Sequence, residues 1–278
     1  MATDPDVGAA AELTYSLIGP GSGQFSINTS TGEVTTSASL DFETAGVYAG
    51  LVLIVTDGGG LESNASLEIT VADINDHSPE FPLNDRNLTI SEDISVGTEL
   101  TVVNATDNDQ GSNARLTYSL SGENLEGEFI VDDISGAITI NRELDYELRQ
   151  HYVLNITATD GGTPRREGNL ILTVNIQDVN DNSPIITNPQ PTFNITENSV
   201  IGTLVGIISA TDIDSGTNAE IVYEILTGND GGKFSIDPPS GAISTNNTID
   251  REEQDSYVLL VQVRILNETV SMRLKIKL

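Results

Sequence analysis

Cysteine is absent from all 278 residues. Its absence excludes a disulfide framework and any thiolate-bound metal. Tryptophan is also missing, and histidine occurs only at His77 and His151. Basic residues are scarce, with 12 Lys plus Arg against 42 Asp plus Glu and a net charge of −30. Binding nucleic acid through its phosphates needs a basic surface, so that class is excluded. The sequence has no run of about 18 apolar residues, and so no membrane-spanning helix. The opening MATDPDVGAA lacks a basic stretch followed by an apolar one, so it is not a secretory signal. With two histidines, no Ser/His/Asp order and no glycine-rich phosphate loop, no enzyme site stands out. His151 precedes an alternating segment and reads as a solvated loop residue.

What is present is order. Hydrophobic residues make up 37% and alternate regularly, which does not fit a disordered acidic tail. An acidic chain that folds can have its acids neutralised by cations. Asn-x-Ser/Thr occurs at Asn28, Asn64, Asn87, Asn104, Asn155, Asn194, Asn246 and Asn267, a number that points to secretion.

The chain also repeats itself. TDPDVG at Thr3, TDNDQG at Thr106 and TDIDSG at Thr211 are separated by 103 and 105 residues. LTYSL, LTYSL and IVYEI follow, around Tyr15, Tyr118 and Tyr223. Segments beginning FSINTSTG, FIVDDISG and FSIDPPSG start at Phe25, Phe129 and Phe234. LDFE, LDYE and IDRE bring Asp41, Asp145 and Asp250 into register, and TDGG brings Asp57 into register with Asp160. DINDHSP at Asp73 and DVNDNSP at Asp178 close two of the units. The expected division is 1–78, which lacks its opening segment, then 79–183, which is complete, then 184–278, which stops before a third DxNDx.

Each unit reads as all-β. In HYVLNITATD, Tyr152, Leu154, Ile156 and Ala158 share one face; in NLILTVNIQD, Leu170, Leu172, Val174 and Ile176 do so. Met272, Leu274, Ile276 and Leu278 repeat the pattern. Period-two alternation marks half-buried strands, and many short strands per hundred residues favour a β-sandwich. Asn87, Asn155 and Asn194 fall on the outward phase.

The recurring acids have another logic. Carboxylates, Asn side chains and backbone carbonyls are hard oxygen donors, and Ca²⁺ takes six to eight of them at about 2.3–2.6 Å. No single segment supplies that many, and no EF-hand loop exists. Several segments meeting at a domain junction would. A lone TDxDxG is ordinarily a turn, DGG a hairpin signal and LDxE a solvated edge. An LDxE pair could imitate a glycosidase pair, but it recurs in every repeat, as ligands do.

The ordered set of an early Glu, TDxDxGxNA, LDxE, ATDGG and DxNDNSP resembles the extracellular cadherin repeat over essentially the whole chain. The resemblance implies tandem seven-stranded Greek-key sandwiches arranged as a rod, with calcium clusters, typically of three ions, at complete linkers. For the second junction it implies ligands from Glu92, Asp145 and Glu147 above, and from Asp178, Asn180 and Asp181 in the linker with the carbonyls of Val179 and Asn182. Below, it implies Asp212, Asp214 and the carbonyl of Asn218. For the first junction the matching residues are Asp41, Glu43, Asp73, Asn75, Asp76, Asp107, Asp109, Asn113 and Asp160. Glu197, Asp250 and Glu252 would serve a further junction, and Asp4 and Asp6 an earlier one.

There are departures from the family pattern. The first unit lacks the segment that carries its Glu. His77 replaces the last Asn of DxNDN, where the family uses a backbone carbonyl, so tolerance is expected. Ala10 replaces the Asn of the first TDxDxGxN. Ile265 stands where Asp160 stands one unit earlier, so the outermost ion of the second junction is expected to bind weakly or not at all. The family reading implies calcium-dependent adhesion between cadherin ectodomains, homophilic or heterophilic, at the extracellular face of the plasma membrane. The alternative is a calcium-stiffened spacer with no adhesive face. Some cadherins swap an N-terminal Trp between partners, and this chain has none. The expectation is therefore middle repeats of a larger protocadherin-like or giant cadherin, anchored through flanking segments.

Overall fold

Alternating segments become strands throughout the computed structural model, which describes residues 2–124, 126–266 and 268–278. Among the described residues there is no α-helix, only short 3-10 turns such as Gly8–Ala11 and Gly216–Ala219. The first unit contains β1 (Thr14–Ile18), β2 (Phe25–Ile27), β3 (Val34–Thr36), β4 (Val47–Thr56) and β5 (Glu62–Thr70). The second contains β6 (Asp85–Ser91), β7 (Glu99–Val102), β8 (Thr117–Gly122), β9 (Phe129–Val131), β10 (Ala137–Ile140), β11 (His151–Thr159) and β12 (Glu167–Gln177).

In the second unit, one sheet has the order β6-β12-β11-β8 and the other β7-β10-β9. β6 lies parallel to β12, with Val174 opposite Leu88, while β11 and β12 form an antiparallel pair from His151↔Asn175 to Thr159↔Glu167. This is a seven-stranded Greek-key sandwich. Its core is the alternating face read from the sequence: Leu154, Ile156, Ala158, Leu172 and Val174 are fully buried. Each large side chain buried this way contributes about 1.5–3 kcal/mol.

The third unit contains β13 (Ile185–Ile186), β14 (Thr192–Asn194), β15 (Leu204–Ile207), β16 (Ala210–Thr211), β17 (Val222–Thr227), β18 (Phe234–Ile236), β19 (Ala242–Thr245), β20 (Ser256–Ile265) and β21 (Glu268–Lys277). It has nine strand segments where the second unit has seven, because the short pair of β13 with β16 stands where the second unit has only the isolated bridge Glu80↔Thr106. Its first strand is split into β13 and β14, and β14 pairs with only Lys275 to Lys277 of β21. Pro189 and Pro191 lie in the break; proline has no N–H to give a ladder.

The recurring uncharged motifs have packing roles. Tyr118 and Tyr223 accept the N–H of Ala105 and Ala210 at 3.0 and 2.9 Å. Phe25, Phe129 and Phe234 each meet a tyrosine edge-on, Tyr48, Tyr152 and Tyr257, at 5.0–5.1 Å. Gly136 has φ 71° and Gly241 φ 67°, and a Cβ at either would strike the carbonyl of Val103 or Ile208. Asn28, Asn64, Asn87, Asn104, Asn194 and Asn246 are exposed, and Asn155 is half-buried in central strand β11. Asn267 lies outside the described residues.

Candidate metal centres at the two junctions

Each acidic motif first shapes its own loop. Asp107 Oδ1 accepts the N–H of Asp109 at 3.0 Å, and Asp212 Oδ1 that of Asp214 at 2.9 Å. Asp41 Oδ1 accepts from Glu43 N and Asp145 Oδ1 from Leu148 N, at 3.0 and 2.8 Å. The bonds within Asp107–Asp109, Asp212–Asp214 and Asp41–Glu43 are Asx turns and that of Asp145 reaches one residue further; in each the side chain replaces a backbone acceptor and shapes the loop around the next acid.

At the second junction, Glu92 is 5% exposed. Its two oxygens accept Tyr146 N at 2.6 Å and Val179 N at 2.7 Å, joining the LDYE loop to the linker. Asp178 Oδ2 accepts Ser215 N at 3.1 Å and the Asn218 amide at 2.8 Å, joining the linker to the lower unit. The Asn182 amide lies 2.7 Å from both Asp181 and Asp214. Glu92, Asp145 and Glu147 place ligand atoms within 4.8 Å of one another, and so do Glu147, Asp181 and Asp214. Glu147 belongs to both groups. Burial and the neighbouring carboxylates of Asp178 and Glu92 push its carboxyl up to about 7. Burial and the neighbouring Asp212 and Asp178 also raise Asp214, against the Asn182 hydrogen bonds.

The first junction follows the same plan below its linker. Asp73 Oδ2 accepts Gln110 N at 3.0 Å and the Asn113 amide at 2.9 Å. With their amides turned to Asp73 and Asp178, Asn113 and Asn218 retain their main-chain carbonyls as oxygen donors. Asn75 is 9% exposed; its amide donates to Asp160 Oδ2 at 2.9 Å and to the Pro164 carbonyl at 2.6 Å. Arg166 Nε donates to the Asn75 carbonyl at 3.1 Å. Burial pushes the Asp160 carboxyl up, but hydrogen bonds from Asn75, Arg166 N and Gly162 N outweigh it and hold the group low. A Cβ on Gly162 would run into the Asn75 amide, so the second glycine of ATDGG opens the space into which the linker docks.

His77 is expected to be tolerated because its position calls for a backbone carbonyl, and its side chain adds a contact. Its ring Nδ1 lies 3.0 Å from both Asp76 and Asp109 and joins them and Glu43 in one group within 4.8 Å. Its alignment with Asn182 is the one signal in the sequence: both side chains place a nitrogen between the same two acids. The hydrogen bond with Asp109 raises the His77 pKa.

Ile265 is fully buried at the position of Asp160. β20 and β21 pair to their ends, Ile265↔Glu268, whereas Asp160 to Arg166 form a loop between β11 and β12. Asn180 therefore lacks the carboxylate that holds Asn75. Ser183 instead donates to Glu268. At the far end of the third unit, Glu197, Asp250 and Glu252 form a further group.

Among the described residues, eight buried side-chain N/O atoms have no hydrogen-bond partner: Asp73 Oδ1, Asn75 Oδ1, Asp107 Oδ2, Glu147 Oε1, Asp178 Oδ1, Asn180 Oδ1, Asp212 Oδ2 and Asp214 Oδ2. All are oxygens at the two junctions. Leaving such groups buried and unpaired costs free energy that a bound cation removes. Two oxygens on opposite sides of one Ca²⁺ lie at most about 5 Å apart, a span the groups already satisfy.

These features define an array of tandem sandwiches joined through oxygen-donor junctions. The Cadherin domain model matches residues 1–72, 86–177 and 191–276, and the chain belongs to the cadherin family, which is non-enzymatic. It is 40% identical over 264 residues to Protocadherin Fat 1 of Homo sapiens, covering 94% of this chain and 6% of that protein. It is 37% identical over 280 residues to Cadherin EGF LAG seven-pass G-type receptor 2 of Mus musculus, covering 98% and 10%. The solved structure of mouse Cadherin-23 EC22-24 superposes with TM-score 0.87 at 29% identity, over 100% of this chain and 89% of that one. The Protocadherin gammaB7 EC3-6 cis-dimer structure gives 0.86 at 31%, over 96% and 66%. The chain thus spans a tenth or less of these two curated relatives. Among its described residues, no helix is long and apolar enough to cross a membrane.

Proposed function

We propose that these repeats bind Ca²⁺ at both junctions and serve calcium-dependent, homophilic cell–cell adhesion as part of a longer surface protein. The observation that carries this reading is the set of eight buried, unpartnered oxygens confined to the junctions. The proposed ligands are the residues named from the sequence, with the units divided at 78/79 and 183/184. The site lies on the extracellular face of the plasma membrane, and the partners are other cadherin ectodomains.

Bound calcium supplies positive charge and an oxygen-hungry coordination shell. Seven carboxylates meet at the second junction, and each divalent ion bound there would offset about two of those charges. The chain's own groups do the positioning: Glu92 ties the upper loop to the linker, Asp178 ties the linker to the lower unit, and Glu147 spans two ligand groups. With extracellular affinities of roughly 10⁻⁴–10⁻³ M and about 1 mM calcium, each site adds on the order of 0.4–1.4 kcal/mol.

Small-angle scattering tests the stiffening. The maximum dimension and its spread should change on chelation, and identical profiles with and without calcium would refute it. Bead aggregation tests the adhesion: coated beads should cluster in calcium and disperse in chelator, whereas a spacer leaves them dispersed in both.

A further inference from the structure

We propose that the outer face of β21 is a cationic contact surface for the acidic first repeat of a second copy of this chain. Naming a second copy rests on the homophilic reading above.

Charge is distributed unevenly among the repeats. Residues 1–78 contain eleven Asp plus Glu and no Lys or Arg. Residues 184–278 contain twelve acids and six bases, and three of those bases, Arg273, Lys275 and Lys277, lie on one strand. They alternate with buried Met272, Leu274 and Ile276, so all three emerge on the outer face. The four residue steps from Arg273 to Lys277, at about 3.3 Å each, make a stripe roughly 13 Å long. Among the described residues, none of the three makes an ion pair within the chain. A groove of about 790 Å³ beside them is lined by Arg273 and Lys275 together with Pro189, Val258 and Met272. It opens where the split between β13 and β14 leaves part of β21 unpaired.

The first repeat carries the complement on its equivalent strand. Tyr48↔Ile69 in β4 and β5 matches Tyr257↔Ile276 in β20 and β21. Glu68 therefore occupies the position of Lys275, with Glu62 further along the same strand. Both acids are exposed, and neither belongs to a junction group. At the same position the middle repeat has Thr173. Two copies related by a two-fold axis and lying side by side in opposite directions pair these faces twice, because an isologous contact repeats every pairing. Parallel copies would set like against like.

The test uses sedimentation velocity on the full chain in about 1 mM calcium. The wild type should dimerise, and its affinity should fall roughly tenfold or more between about 50 and 500 mM NaCl, as the screening length shrinks. R273E/K275E/K277E and E62K/E68K should each dimerise roughly tenfold or more weakly, since like charges then face each other. All five side chains are exposed, and circular dichroism should show unaltered folding. Mixing the two variants should restore the dimer, because each then meets its opposite. Unchanged dimerisation of the variants, or a mixture that fails to recover, overturns the proposal. So does a wild-type monomer at every salt concentration, including one that binds heparin through β21. If bead clustering in calcium persists in both variants, adhesion stands and the cationic contact falls.

Discussion

Replacing Glu92 by Ala removes one side chain from two jobs. The carboxylate is buried and is the acceptor for Tyr146 N at 2.6 Å and Val179 N at 2.7 Å. Hydrogen bonds to a charged group contribute about 1.5–3 kcal/mol each, so the two lost bonds total roughly 3–6 kcal/mol. Part of that is returned. Glu92 lies within 4.8 Å of ligand atoms of Asp145 and Glu147, and removing its negative charge relieves repulsion and a desolvation cost. In chelator the relief is full, and the net loss should be about 1–2 kcal/mol. In calcium the charges are already offset and a ligand is lost as well, so the net loss should be about 3 kcal/mol or more. For a domain of this size, 3 kcal/mol lowers the melting point by roughly 12 °C. The assay is calorimetry of wild type and E92A in 1 mM calcium and in chelator, with amide exchange at Tyr146 and Val179 locating the damage. An equal loss in both conditions would mean that Glu92 is only a structural clasp and that the metal reading of this loop is wrong.

Further outcomes follow from the same geometry. Gly162→Ala should displace Asn75 and weaken calcium binding at the first junction several-fold in titration calorimetry, while leaving the second unchanged. Leu154→Ala, in the fully buried core, should cost about 2–5 kcal/mol by urea unfolding, with or without calcium. Glu147 has a folded pKa of about 7 against an ordinary 4.5, so between those values the folded state holds the extra proton. Stability in chelator should therefore fall as pH rises from about 4.5 to 7, and calcium should abolish the fall. A flat profile in chelator would refute the assignment. Calcium titration of Asp212→Asn, on the side of the second junction where Ile265 stands, should remove less binding than Asp107→Asn removes at the first.

Much of this was legible in the residues. Alternation in HYVLNITATD gave the buried face of β11 because a strand's period is fixed by its backbone. The register of TDxD, LDxE and DxNDx identified the acids that meet at the junctions, since a repeated fold carries repeated positions to equivalent places. What escaped depended on the approach of distant segments. The His77 ring between Asp76 and Asp109, the space at Gly162 and the Ser183–Glu268 bond each require a partner that the local sequence does not name. The split first strand of the third repeat was open to a local reading, since Pro189 and Pro191 stand within it.

The missing grip on Asn180 has a mechanical consequence. Tension applied to the two ends passes through both junctions in series, so both carry the same force. Asn75 is held by Asp160, Pro164 and Arg166, whereas among the described residues Asn180 has no such hold after the Ile265↔Glu268 pairing. Glu92 ties this linker only to the unit above, so on its lower side the second linker should yield before the first, with the chain gaining length there while its sandwiches stay folded. In a pulling trace this is a small early extension that chelator enlarges and that precedes any unfolding step. Such a trace would make the position of Ile265, where the repeat before has an aspartate, a shock absorber within the chain.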